Sequence, residues 1–190
     1  MPLRLTYVNQ LNDPLTRSVA TDTSAAIVDL VKGTHALPGA QPCLIPAGYL
    51  KPGSTIRTEA FGTFTNASTT PTLTFTVGFG ATPTVLGANV ALTETSVASV
   101  LLPWHLYTLT IIRDATTPSA VVTATHGRLE FGTAVNTMAT PLFIPGVSFV
   151  TVNIDNTAAQ PWSVWGQMSA SSASNIVTLH GLTIEELTQV

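Results

Sequence analysis

Charge is what this sequence lacks most. Only 9% of its 190 residues are Asp, Glu, Lys or Arg, against roughly 25% in ordinary globular chains. With no Lys/Arg cluster and a formal net charge of -3, it has no electrostatic footprint for nucleic acid. Cysteine occurs once, at Cys43. That excludes an intramolecular disulfide framework, and Cys43 is expected to be a small buried or half-buried residue rather than a nucleophile or ligand. No apolar run approaches the about 18 residues of a membrane-spanning helix, so no membrane role is expected. The opening MPLRLTYVNQ has no positive segment leading into an apolar stretch, so synthesis and folding in a cytoplasm are expected.

Recognisable catalytic chemistry is equally scarce. The four histidines, His35, His105, His126 and His180, stand apart from one another, without the close ligand pair of a jelly-roll metal enzyme. His126 and Glu130 share a strand face in HGRLE, but strand residues four apart are separated by roughly 13 Å. Ligand bonds of about 2.0 to 2.2 Å would then require a sharp bulge at Gly127. The plainer assignment puts His126, Arg128 and Glu130 on a polar strand face. Glu185 and Glu186 look like a solvated chain end, and Asp114 and Asp155 look like turn caps at strand ends. Asp22 and Asp29 lie in the N-terminal segment, and nothing pairs two carboxylates as a glycosidase requires. The serine-rich SASSAS run, 169–174, has no G-x-S-x-G context. Gly78 and Gly80 match no phosphate-binding loop, and the N-A-S at Asn66 reads as a turn. No catalytic, cofactor-binding or metal-binding residue is assigned, no cofactor is expected, and the chain is not expected to be an enzyme.

What is present is strand. Hydrophobic residues make up 45% of the chain, interleaved with threonine, serine and glycine that suit sheets and turns. Residues 1–50 read as an extended N-terminal arm, with a short strand near Leu3 to Val8, an apolar run from Ala25 to Val31, and several prolines. Such a segment is expected either to drape over a partner such as a neighbouring subunit or to be a floppy arm. Residues 51–190 read as a domain of successive strands. STIRTEAFGTFTN, from Ser54, puts Ile56, Ala60, Gly62 and Phe64 on one face, with Arg57, Glu59 and Thr63 beside Phe61 on the other. PTLTFTVGFG, from Pro71, aligns Leu73, Phe75, Val77 and Phe79, and the two segments are expected to pair as a hairpin. Gly62 and Gly78 inside these strands mark bulges or close backbone approach.

Further strands are expected in WHLYTLTIIRD, AVVTATHGRLEFG, VSFVTVNID, WSVWGQM and NIVTLHGLTIEEL, with a weak one near Val90 or Phe143. In the last long segment Val177, Leu179, His180, Leu182 and Ile184 also trace a helical stripe, against which its β-branched content favours a strand. The architecture expected is all-β: an eight-stranded antiparallel β-sandwich of jelly-roll type. Trp104, Tyr107, Trp162 and Trp165 are candidates for a sugar-stacking or partner-binding patch. Alternation sends Trp162 and Trp165 to opposite faces, so at least one belongs to the core. His105 and Tyr107 share the face opposite Trp104 and are candidates for an intersubunit surface. A chain with so little charge is expected to have part of its surface covered by copies of itself or by a partner.

IPAGYLKPGSTIRTEAFGTFTN from Ile45, TPTLTFTVGFG from Thr70, PWHLYTLTIIRDA from Pro103 and ASSASNIVTLHGLTIEEL from Ala170 together carry a resemblance. In segment order they resemble jelly-roll head decoration (cement) proteins, or related accessory virion structural proteins, of tailed bacteriophages. The resemblance implies a non-enzymatic protein that stabilises the outer capsid surface as a trimer, with the major capsid protein as partner. It also implies location on the virion after synthesis in the host cytoplasm. Capsid contacts would come from Leu3 to Val8 and Ile27 to Val31, and trimer contacts from a sandwich face. The alternative is a tail, fibre or baseplate component that binds host carbohydrate or a receptor, with an aromatic-polar groove on loops 81–99 or 155–161. A jelly-roll enzyme would instead need His126 and Glu130 to converge in a pocket.

Overall fold

A computed structural model describes residues 6–10, 18–20, 28–29, 43–65, 72–79, 90–93, 101–116, 119–134, 137–138, 142–144, 150–168 and 176–187. In chain order the strands are β1 (Thr6–Gln10), β2 (Ser18–Ala20), β3 (Val28–Asp29), β4 (Cys43–Ile45), β5 (Thr55–Thr65), β6 (Thr72–Phe79) and β7 (Val90–Thr93). They continue as β8 (Leu102–Asp114), β9 (Val121–Ala134), β10 (Thr137–Met138), β11 (Leu142–Ile144), β12 (Val150–Val152), β13 (Gln160–Met168) and β14 (Ile176–Leu187). Every pairing among them is antiparallel.

The strands form two sheets. The larger runs β1-β14-β5-β8-β9-β10, with β11 and β12 also on β9 and β2 also on β14. The smaller runs β3-β13-β6-β7, with β4 also on β13. This is the all-β, jelly-roll-like antiparallel sandwich expected, and short strands at the edges extend its eight-stranded scheme. Those short strands take up hydrogen-bonding edges that long strands would otherwise leave open. β1 and β2 occupy one edge of β14, and β12, β11 and β10 follow one another along β9. An unpaired long edge invites association with other chains. The segment from Ile176 to Leu187 is a strand, not a helix, and both weak candidates, near Val90 and Phe143, are strands.

The expected hairpin between β5 and β6 does not form. β5 pairs with β14 and β8 in the larger sheet, while β6 pairs with β13 and β7 in the smaller. Alternation told which side of each strand is apolar, and both apolar sides do face the core. It carries no information on the strand's neighbours, so two consecutive strands that face each other across the core look like two that pair.

The core lies between the sheets. Phe75 of the smaller sheet meets Trp104 of the larger at a ring separation of 4.5 Å, and Phe79 meets Trp162 edge-on at 4.6 Å. Trp162 Nε1 donates to Thr58 Oγ1 at 2.9 Å, a hydrogen bond that ties the sheets together. The threonines partly belong to this core: Thr58, Thr108, Thr110, Thr123 and Thr125 are buried on the inner face of the larger sheet. Their β-branched shape packs like valine, and the hydroxyls of Thr110 and Thr125 satisfy each other at 2.9 Å. Gly62 is required where β14 bulges past β5, because a Cβ there would stand 1.8 Å from the carbonyl oxygen of Thr178.

Candidate functional site

The outer face of the larger sheet collects the polar and aromatic side chains that alternation keeps out of the core. Register sets them in cross-strand rows. Leu187, Thr55, Ile111 and Ala124 form an apolar row at one end, followed by Glu185, Arg57, Leu109 and His126. Thr183, Glu59, Tyr107 and Arg128 come next, and then Gly181, Phe61, His105 and Glu130. Neighbours within and between such rows are close enough to interact directly.

Most of these polar groups hold one another in place. His105 Nε2 lies 3.0 Å from Glu59 Oε1, while its Nδ1 lies 3.6 Å from Glu130 Oε2. The second oxygen of Glu130 faces Arg128 Nε at 3.5 Å. Arg57 pairs with Glu185, which is only 6% exposed. On the neighbouring bulge His180 Nε2 is 2.9 Å from Thr63 Oγ1. Phe61 lies across Gly181, where a Cβ would stand 2.4 Å from the ring, and is still half open to solvent. The glycine thus lets an aromatic ring lie down on the sheet.

Beside this network lies an open depression of about 380 Å³ lined by Tyr107, His126, Gly127 and Arg128. A much smaller, partly open cavity, lined by Ile45, Tyr49, Leu50, Ile56, Ile184 and Glu186, sits at one end of the sandwich. There the Tyr49 phenol is raised to about 12, chiefly by its hydrogen bond to Glu186 and then by burial.

Several assignments change with this geometry. Trp104, Trp162 and Trp165 are all buried, so none is available to stack on a sugar. Tyr107 and His105 do share the outer face, as their register predicts. Glu185 and Glu186 are not a solvated end, because Glu185 is paired with Thr6 of β1 and Arg57 of β5, and Glu186 with Ile56 of β5. Alternation then sends Glu185 to Arg57 and Glu186 to the cavity beside Tyr49. His126 and Glu130 share a face, but β9 keeps its register with β8 through Gly127, without the bulge that joint ligation would need. Among the described residues no group of three His, Cys, Asp or Glu side chains is arranged to hold a metal ion.

Asp114 and Asp155 cap turns, accepting from the backbone N–H of Thr116 and Thr157 at 2.9 Å each. Those hydrogen bonds hold both carboxyls below their ordinary range. For Asp114 the backbone bond from Thr116 dominates, and for Asp155 the bond from the Thr157 hydroxyl. The 155–161 loop carries no aromatic side chain and is closed by Gln160 Nε2 donating to the Asp155 carbonyl at 2.6 Å. The 81–99 loop, apart from β7, lies outside the described residues, as do the proposed contact residues Leu3 to Leu5, Ile27, Leu30 and Val31. The sequence brought His105 with Tyr107, and His126 with Arg128 and Glu130, to notice as two separate groups. What it did not reveal is that β8 and β9 are neighbours in the register that gathers them.

No protein-family model matches the sequence, and no curated protein matches it. Among solved structures the chain is similar to the CBM2 module of the evolved Dit of Lactobacillus casei BL23 phage J-1, at 11% identity. The alignment covers 75% of this chain and 66% of that one, with a TM-score of 0.29. Likeness at that level leaves function to be argued from this chain's own residues. Among the described residues no helix is long and apolar enough to cross a membrane.

Proposed function

We propose that this chain is a non-enzymatic binding module of a bacteriophage particle, and that the outer face of its larger sheet recognises carbohydrate. One observation carries the binding role. The depression at Tyr107, His126 and Arg128 joins an aromatic ring to hydrogen-bonding groups on two paired strands. Sugars present C–H faces that pack on such rings and hydroxyls that need directional partners. Long paired strands hold these side chains more rigidly than loops would. A single shallow site binds weakly, but a particle carrying many copies multiplies weak contacts into avidity. The phage assignment rests on the resemblance in segment order.

The test is a glycan array probed with the full chain and with Tyr107→Ala. Binding that the variant loses, while its circular dichroism and unfolding midpoint stay unchanged, supports the assignment. Failure of the full chain to bind any glycan overturns it.

Capsid decoration as a trimer is the second reading, favoured by the apolar row of Leu187, Ile111 and Ala124 at the end of the same face. In this reading residues 1–50 reach the major capsid protein and residues 51–190 form the trimer. Light scattering discriminates: three chains of 19.9 kDa would give about 60 kDa, whereas a monomer at all concentrations removes it in solution.

A further inference from the structure

The carboxylates on this face are not distributed like its cations. Glu59 and Glu130 both turn to His105, and Glu185 turns to Arg57. Among the described residues no acidic side chain lines the depression, whose walls are Tyr107, His126, Gly127 and Arg128. Arg128 has half of its side chain exposed, and among the described residues its ion pair is made through Nε alone, with Glu130 at 3.5 Å. A guanidinium carries five N–H donors in a planar fork, so the Nη end retains its donors. His126 is exposed on the same strand face, two residues from Arg128, and the Tyr107 hydroxyl adds a further donor opposite Arg128. The walls are therefore rich in donors and include one cation, the Arg128 guanidinium, engaged by Glu130 on its Nε side.

We infer that the depression takes an anionic sugar unit, with its carboxylate or phosphate group on the Arg128 fork and its ring against Tyr107. This inference rests on the carbohydrate reading and narrows it to acidic glycans. A planar guanidinium pairs with a carboxylate or phosphate through two parallel N–H···O bonds, a geometry that a neutral hydroxyl cannot use. His126 stands where it can donate to the same oxyanion or to a neighbouring hydroxyl. Glu130, engaged by His105 and by Arg128 Nε, orients the guanidinium and acts as a positioning residue.

The test is an array that pairs each acidic glycan with its neutral counterpart, a uronate with its hexose and a phosphodiester with the dephosphorylated sugar. The full chain, Arg128→Gln and Arg128→Lys are compared at low salt and at about 0.5 M, where exposed charge pairs are screened. The expected result is acidic members bound at least about ten-fold tighter than their counterparts. Arg128→Gln loses that preference, while Arg128→Lys falls between because it keeps the charge without the fork. Preference for the uronate or for the phosphodiester then identifies the source of the anion. Equal binding of acidic and neutral members, unaffected by Arg128→Gln, overturns this inference and leaves carbohydrate binding standing. Absence of binding to every member overturns both.

Discussion

Strand β5 alternates between buried and accessible residues along its whole length, whereas β13 is buried without interruption from Trp162 to Gly166. The two sheets differ in the same way. On the smaller sheet the outward-directed Thr76, Ser163 and Trp165 are as buried as the inward-directed Phe75, Val77 and Trp162. On the larger sheet the outward side stays accessible across β5, β8 and β9. Charge follows the division: β6 and β13 contain no charged residue, while β5, β8, β9 and β14 each contain two. The scarcity of charge therefore does not mean a uniformly apolar exterior. Strands β6 and β13 need no charge because Thr76, Ser163 and Trp165 are buried on their outward side too, and the few charges of the framework gather on the larger sheet.

The sharpest way to break this comparison is to truncate an outward-facing aromatic on each sheet. Trp165→Ala removes a fully buried indole and is expected to cost about 3–5 kcal/mol in urea unfolding. Tyr107→Ala, on the accessible face, is expected to cost within about 1 kcal/mol. Equal costs would mean that the outer sides of the two sheets are alike after all.

Glycine substitutions on β5 and β14 test the same contrast at the backbone level. A Cβ at Gly62 meets the Thr178 carbonyl oxygen and the buried Trp104 ring, neither of which can yield. Gly62→Ala is expected to destabilise by about 3 kcal/mol, at the upper end for overpacking. A Cβ at Gly181 meets instead the ring of Phe61, which is half exposed and can swing into solvent. Gly181→Ala is expected to change the unfolding midpoint little while lifting Phe61 off the sheet, seen as a shift of its ring resonances in NMR.

Much of this was legible in the strands themselves. The periodicity of STIRTEAFGTFTN gives the faces of β5 residue by residue, and Gly62 announces its close approach. Two things were not legible. Burial on both sides of β13 depends on what lies over Trp165, and a sequence shows that a tryptophan is apolar without showing what covers it. The gathering of Glu59, His105 and Glu130 depends on β5, β8 and β9 lying side by side, and pairing is a property of the whole topology. The same limit produced the false hairpin of β5 with β6. Local pattern reports on one strand at a time, whereas the polar cluster of this face is made by three.

The two buried indoles of β13 allow a finer comparison. Trp162 donates to Thr58 across the core, while Trp165 Nε1 has no hydrogen-bond partner among the described residues. Replacement by phenylalanine removes both N–H groups. Trp162→Phe loses a hydrogen bond and leaves the Thr58 hydroxyl buried, whereas Trp165→Phe removes an unpaired donor. Trp162→Phe is therefore expected to be the more destabilising by about 1–2 kcal/mol, measured as the difference in urea midpoints at constant slope.

The last comparison lies at the end of the sandwich, where Tyr49 closes over Glu186. The phenol is raised from 10.0 to about 12, mainly because its O–H donates to the Glu186 carboxylate and the phenolate would lose that bond. Folding thus favours the protonated phenol. The stabilisation is complete below pH 10, declines as pH rises above that, and is gone above about 12. Chemical denaturation measured from pH 9 upward should show stability falling more steeply for the native chain than for Tyr49→Phe, which has no proton to lose there. At neutral pH the same variant should cost about 1 kcal/mol, the usual worth of one partly exposed hydrogen bond. Parallel pH profiles would mean that Glu186 is held by solvent, and that this end of the sandwich is as open as the face beside it.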